Sequence, residues 1–382
     1  MLLKNLDENK VTCTIFLDLA KAFDTVDHNI LLLKMEKYGI RGQALSLIKS
    51  YLENRKHSVK LNNIKSSLLT LNTGVPQGSV LGPLLFLLFI NDIPSCTNFN
   101  VKLYADDTFL SLDAKNYKDL QKNVNEEMKC ISKWLTNNKL TLNISKTKYM
   151  LISRKKEPSN GDFRIKFDDD FLEKCTPFKY LGVWLDNKLT WKPHVDHICN
   201  KLSKVCGIFS KLRYSTNMNL LKSVYYALVA SHLQYCNLVW GGATDSIIDP
   251  LKKIQNRIIR ILSFAPFNCR NVSALYEDLQ LLNLEQIHKL SKGKFVYKYK
   301  AGKLPSNFDN YLVNTTDVHT HNLRSTSSSG YVKIWGKTNH SLKMIRYDAV
   351  KVWESIPNDI QKFETLAKFS ENYKCFLLNG VF

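Results

Sequence analysis

Two adjacent carboxylates, Asp106 and Asp107, stand between Asn100-Val101-Lys102-Leu103-Tyr104 and Thr108-Phe109-Leu110-Ser111-Leu112, runs that read as the arms of a β-hairpin. Like charges repel in a low-dielectric site, so two unpaired carboxylates at a hairpin tip suggest a divalent cation. A polar turn, where Asp is common, is the alternative. A third carboxylate, Asp18, ends the β-rich segment Val11-Thr12-Cys13-Thr14-Ile15-Phe16-Leu17. If these strands are neighbours, three carboxylates converge on one sheet edge. Two divalent ions roughly 4 Å apart, held by oxygen ligands, need such an edge.

The elements that must hold these groups alternate. A short polar lead-in precedes the Val11 strand. Asp27 is placed to cap a helix through Leu31, Leu32, Met35 and Tyr38, closed by Gly39. A second helix runs from Gln43 to Glu53, and Ser58–Leu61 and Leu68–Leu71 read as a pair of short strands. Gly/Pro-rich Thr73–Pro83 then feeds an apolar helix, Leu84–Ile90, and glycines let backbone approach a ligand closely. Leu120, Val124, Met128, Ile131 and Leu135 repeat at helical spacing within a helix from Leu120 to Trp134. Tyr149–Ile152 is a strand, Arg154–Asp162 a loop, and Phe178–Leu185 a short strand or hairpin.

From Trp191 the pattern turns helical, with Ile198, Leu202, Val205, Phe209 and Leu212 on one stripe and Lys201, Lys204 and Lys211 off it. Leu220–Trp240 and Leu251–Leu262 are two more helices, the second carrying Lys252, Lys253, Arg257 and Arg260. Beyond 314 a Ser/Thr/His-rich stretch to Ser329 reads as a loop, and an amphipathic block from Met344 to Leu378 breaks at Pro357. The expected organisation is residues 1–188, 189–314 and 315–382.

Lys and Arg number 54 against 34 acidic residues, a formal charge of +20, which points to a polyanion, nucleic acid before anionic membrane. The longest apolar run, Pro83–Ile90, is far short of the ~20 residues that span a bilayer, and Met1–Asn5 lacks the apolar core of a signal peptide. Nine scattered cysteines fit reduced thiols of an intracellular protein, nuclear or cytoplasmic. A zinc site at His194, His197, Cys199 and Cys206 is disfavoured, because no Cys-x2-Cys pair lies nearby. His319 and His321 lack partner cysteines, and Asp168-Asp169-Asp170 reads as an exposed turn.

Phe16-Leu17-Asp18-Leu19-Ala20-Lys21-Ala22-Phe23-Asp24, Gly74-Val75-Pro76-Gln77-Gly78-Ser79, Tyr104-Ala105-Asp106-Asp107, Leu142-Asn143-Ile144-Ser145-Lys146-Thr147 and Tyr180-Leu181-Gly182 resemble the ordered motifs of a reverse transcriptase. Their order and spacing resemble the non-LTR (LINE-like, jockey-type) retrotransposon branch. The tail, notably Val352–Pro357 and Phe369, is similar to the C-terminal region of these elements.

The resemblance implies an α+β fold: a right-hand polymerase palm with an antiparallel sheet and packed helices, then a mainly helical thumb and C-terminal region. It implies RNA-directed DNA polymerase chemistry with two Mg2+ or Mn2+ ions, a dNTP substrate, an RNA template and a DNA primer or target. Asp18 and Asp106 would be the principal metal ligands, with Asp107 and the Leu19 carbonyl supporting them. Phe23 would abut the sugar, and Gln77, Gly78 and Tyr104 would line the nucleotide and template pocket. Lys146 would protonate departing pyrophosphate. Tyr180, Leu181 and Gly182 would form the primer grip. Only Lys4 and Lys10 precede Asp18 as basic residues, so the fingers that such enzymes place ahead of the first motif are expected to be largely missing from an N-terminally truncated chain. A nucleic-acid-binding remnant without activity is the alternative.

Overall fold

The computed structural model describes residues 1–159, 162–266, 268–313, 331–332 and 344–379. They divide into two compact units, one formed by residues 4–178 and the other by 179–382. The sequence places its first boundary at 188; the units part ten residues earlier because the hairpin strand Val183–Leu185 packs with the Lys192–Leu212 helix that follows it.

The first unit is mixed α and β around a five-stranded sheet ordered Glu173–Lys174, Lys148–Ile152, Val11–Leu17, Asp107–Ala114, Asn100–Tyr104. Neighbours are antiparallel except at the Glu173–Lys174 edge, which runs parallel to Lys148–Ile152. Every residue of the central strand Val11–Leu17 is buried, as its unbroken apolar and Thr-rich run requires of a strand covered on both faces. Its two threonines find partners: Thr12 accepts from Asn5 Nδ2 at 3.1 Å and Thr14 donates to the Met150 carbonyl at 3.2 Å. The polar lead-in is in fact a short helix, Leu2–Asp7, because Leu6 reaches the core and Asn5 the Thr12 hydroxyl.

The long helix Tyr117–Asn137 buries Leu120, Val124, Met128, Ile131 and Leu135, the expected stripe, and starts where Asn116 accepts from the Asp119 amide. Asp27 caps the helix His28–Lys37 by accepting from Ile30 N at 3.0 Å. The two short strands after residue 55 do not simply pair with each other. Lys56-His57 pairs with Leu69-Thr70, and Lys60-Leu61 with Ile64-Lys65 around Asn62, whose φ is +53°. Asn tolerates that left-handed turn, which the apolar runs alone conceal.

In the second unit, helix Lys192–Leu212 packs on Asp245–Leu262. The helix expected over Leu220–Trp240 is interrupted. A π-helical turn occupies Tyr226–Ala230, and Cys236, at φ +48°, breaks the backbone before Asn237–Trp240. A helix the sequence reading omitted, Leu284–Lys300, starts with a capping box between Asn283 and Gln286. Its Phe295 and Val296 share a core with Val350, Trp353 and Phe369, so the helices Ile345–Glu354 and Leu366–Asn379 belong to the same unit rather than to a separate region. The Ser/Thr/His-rich stretch with His319 and His321 lies outside the described residues. No helix among the described residues is long and apolar enough to cross a membrane.

Candidate active site at the end of the central sheet

The antiparallel register of the first unit ends on the pairs Leu17↔Thr108 and Tyr104↔Asp107. The ladder of the central strand stops at Leu17↔Thr108, and Asp18 and Asp107 are the residues that adjoin that last pair. Ala105 and Asp106 form the two-residue tip, with Ala105 at φ +52°. Alanine is rarely found in that left-handed region, and holding it there costs on the order of 1 kcal/mol. Burial pushes the Asp107 carboxyl above the usual range, and the charges of Asp106 and Asp18 push the same way. Asp107 therefore feels the other two carboxylates.

A turn from the fourth motif latches the end of the central strand. Asp18 N donates to the hydroxyl of buried Thr147 at 3.2 Å, and Asn143 N donates to the Asp18 carbonyl at 2.8 Å. Ala20 N donates to Thr141 O at 2.9 Å, so Leu19 and Leu142 oppose each other as a non-hydrogen-bonded pair. The Leu19 carbonyl thus stands outside this ladder. Asn143 folds the turn by accepting from Ser145 Oγ at 2.8 Å and Lys146 N at 3.3 Å. Lys146 Nζ lies 4.0 Å from Asp18 Oδ2, both groups facing solvent. Among the described residues, no group of three His, Cys, Asp or Glu side chains is assembled as a metal cage. Two carboxylate strands plus a backbone carbonyl make an open oxygen set that leaves positions for other ligands.

Residues 73–77 are strapped to 23–28. Val75 N donates to Phe23 O and Gly74 N to Val26 O, each at 2.8 Å, while His28 Nε2 meets Gly74 O at 2.8 Å. Gly74 is at φ +86°, and a Cβ there would sit 2.8 Å from the Asp24 carbonyl oxygen, so only glycine fits. Phe23 packs its ring on Phe86, 4.6 Å between centroids, while keeping one side partly open. Gln77 and Gly78 are exposed, and Gln77 Nε2 donates to Asp24 Oδ1 at 2.9 Å. Tyr104 is exposed beside the hairpin tip. The first unit therefore gathers Asp18, Leu19, Asp106, Asp107 and Lys146, and straps the Phe23 segment to the Gln77 loop. Sequence reasoning missed Asp24, His28 and Thr147. All three lie inside or beside quoted motifs, but their partners are distant in the chain.

Tyr180, Leu181 and Gly182 lie in the second unit. Leu181 and Gly182, at φ +44° and +80°, make a two-residue turn between Phe178–Tyr180 and Val183–Leu185. Tyr235 Oη donates to Leu181 O at 2.6 Å. Of the His/Cys group set aside for zinc, His194 is buried, its Nδ1 accepting from Trp184 N at 3.4 Å and its ring meeting Trp240 edge-on. Burial lowers its pKa to about 4. Lys201, Lys204, Lys211, Lys253 and Arg257 are exposed on the two long helices.

Residues 3–185 match the family model described as reverse transcriptase (RNA-dependent DNA polymerase). Over 297 residues the chain is 30% identical to a probable RNA-directed DNA polymerase from transposon X-element of Drosophila melanogaster, covering 75% of this chain and 32% of that protein. It is 28% identical over 267 residues to the RNA-directed DNA polymerase from mobile element jockey of the same species, covering 67% and 29%. The chain thus spans about a third of the length of these relatives. Among solved structures, telomerase from Candida albicans in complex with a fragment of telomeric RNA overlaps 82% of this chain and 50% of its own. Its TM-score is 0.35 at 13% identity, a likeness too loose to bear on fold or function.

Proposed function

Because the chain belongs to the reverse transcriptase family through residues 3–185, we propose that it is an RNA-directed DNA polymerase of a non-LTR retrotransposon. It would extend a DNA primer on an RNA template, with residues 4–178 as palm and the helices from Lys192 as thumb. The observation that supports this reading is the register that ends on Leu17↔Thr108, with Asp18 and Asp107 adjoining that pair and Asp106 at the neighbouring tip.

The donor set fits hard divalent cations: mutually repelling carboxylates, an oxygen from the Leu19 backbone and no soft ligand. Asp18, Asp106 and Asp107 would hold Mg2+ or Mn2+, which when bound acidifies a primer 3′-OH and screens the charge of a dNTP. Phe23, braced by Phe86, would press on the sugar. Gln77, Gly78 and Tyr104 would bound the nucleotide without reading its sequence. Lys146 would give a proton to the leaving pyrophosphate oxygen from its place beside Asp18. The Tyr180–Gly182 turn would bear on the primer, and the exposed lysines of the long helices on duplex phosphates. All nine cysteines are free, which supports an intracellular setting, nuclear or cytoplasmic.

Primer extension on an RNA template with Mg2+ tests this. Incorporation by the chain and none by Asp106→Asn is expected; equal background incorporation by both would leave a nucleic-acid-binding chain without activity.

A further inference from the structure

We propose that Asp24 is a positioning residue that fixes which face of the Gln77 carboxamide meets the nucleotide. The inference rests on the polymerase reading and extends it to a residue outside the metal-binding set. Four bonds strap the two segments: Gly74 N to Val26 O, Val75 N to Phe23 O, His28 Nε2 with Gly74 O, and Thr73 Oγ1 to the Asp24 carbonyl at 3.2 Å. Gly74 completes the close approach, since no larger residue fits over the Asp24 backbone. Gln77 is thereby delivered to Asp24, and its Nε2 donates to Asp24 Oδ1 at 2.9 Å.

The two ends of a carboxamide are nearly the same size and opposite in polarity. An ionised carboxylate accepts only, so it selects the NH2 end and excludes the oxygen. Gln77 then offers a ligand one oxygen acceptor and one remaining N–H, always in the same order. Without Asp24 the amide can turn over, and donor and acceptor exchange places. Both side chains are exposed, so the bond serves orientation more than stability.

A double-mutant cycle on the full chain tests this. The readout is the Kd of a dNTP for the chain bound to an RNA template and a dideoxy-terminated primer. Asp24→Ala is expected to weaken dNTP binding about fivefold, a modest hydrogen-bond effect, with the melting temperature unchanged. In a Gln77→Ala background the same substitution should do nothing further. Asp24→Asn, which accepts either end of the amide, should fall between. Equal weakening with and without Gln77 overturns the inference, because it marks Asp24 as a structural tie.

The Gln77 side-chain amide signal in a 15N–1H spectrum, identified by its loss in Gln77→Ala, reports the bond with no nucleotide present. It should move in Asp24→Ala, and an unmoved signal overturns the inference whatever the chain polymerises. Equal extension by wild type and Asp106→Asn would instead sink the polymerase reading, leaving the amide shift to stand or fall alone.

Discussion

Asp107→Asn should make the protein more stable while abolishing the proposed Mg2+-dependent primer extension. Asp107 and Asp18 adjoin the last ladder pair, Leu17↔Thr108, Asp107 follows Asp106 in the chain, and both charges act on the Asp107 carboxyl. Like charges directly opposed in a sheet cost roughly 0.2–1 kcal/mol, and the solvent exposure of this tip favours the lower half of that range. Neutralising Asp107 should therefore gain about 0.5 kcal/mol, or a rise of about 1–2 °C in melting temperature for a unit of this size. The sign follows from the raised carboxyl. A group whose folded pKa lies above its unfolded value of roughly 3.9 destabilises the fold increasingly as pH rises through that window. The gap between Asn variant and wild type should thus be full at pH 7 and close below pH 4. Melting curves in chelator at both pH values measure it. Adding Mg2+ should then raise the wild type more than the variant, which keeps Asp18 and Asp106 but loses one carboxylate of the proposed ligand set. A variant no more stable than wild type at pH 7, or a gap that persists undiminished well below pH 4, would refute the repulsion argument.

Gly74→Ala must force a Cβ against the Asp24 carbonyl at a positive φ, so it should destabilise the first unit by about 1–3 kcal/mol; a denaturant titration measures this. Lys292, 6% exposed, pairs with Asp348. Asp348→Ala, which strands that ammonium, should cost about 3–5 kcal/mol, whereas Lys292→Met with Asp348→Ala should recover most of it; thermal melts of the three variants decide. His194 and His288 are held neutral by burial, each with its pKa lowered to about 4. They ionise near 6.5 when unfolded, so the second unit should lose stability progressively as pH falls from about 6.5 to 4. Circular dichroism melts across that range should show the loss, and His194→Gln with His288→Gln should flatten it.

The local chemistry of the site was legible because it is written in consecutive residues. The strand before Asp18, the hairpin arms around Asp106 and Asp107, and the stripe of the Tyr117–Asn137 helix all follow from period and turn chemistry. Pairings between distant segments were not legible. Nothing near Asp24 announces that Gln77, 53 positions on, will reach it. Nor does the Ser58–Leu71 region advertise that Asn62 turns left-handed and nests one hairpin inside another. In the second unit, the apolar continuity of Leu220–Trp240 hid a break set by the backbone at Cys236. The capping box of Asn283 and Gln286 is local enough to be legible, and it opens the helix that anchors the C-terminal core.

The two-residue tip at Ala105 and Asp106 also sets a tolerance. Strand register is a ruler with a one-residue graduation, and side chains change face at each mark. A single codon gained or lost between Val101 and Leu112 would shift Asp107 against Asp18 or turn it to the opposite face, while leaving every other motif spelled correctly. The ribbon between residues 54 and 71, exposed almost throughout, can absorb such changes. An insertion or deletion at the hairpin should therefore disrupt the site while every aspartate is kept, so the presence of the three carboxylates alone does not mark an intact site.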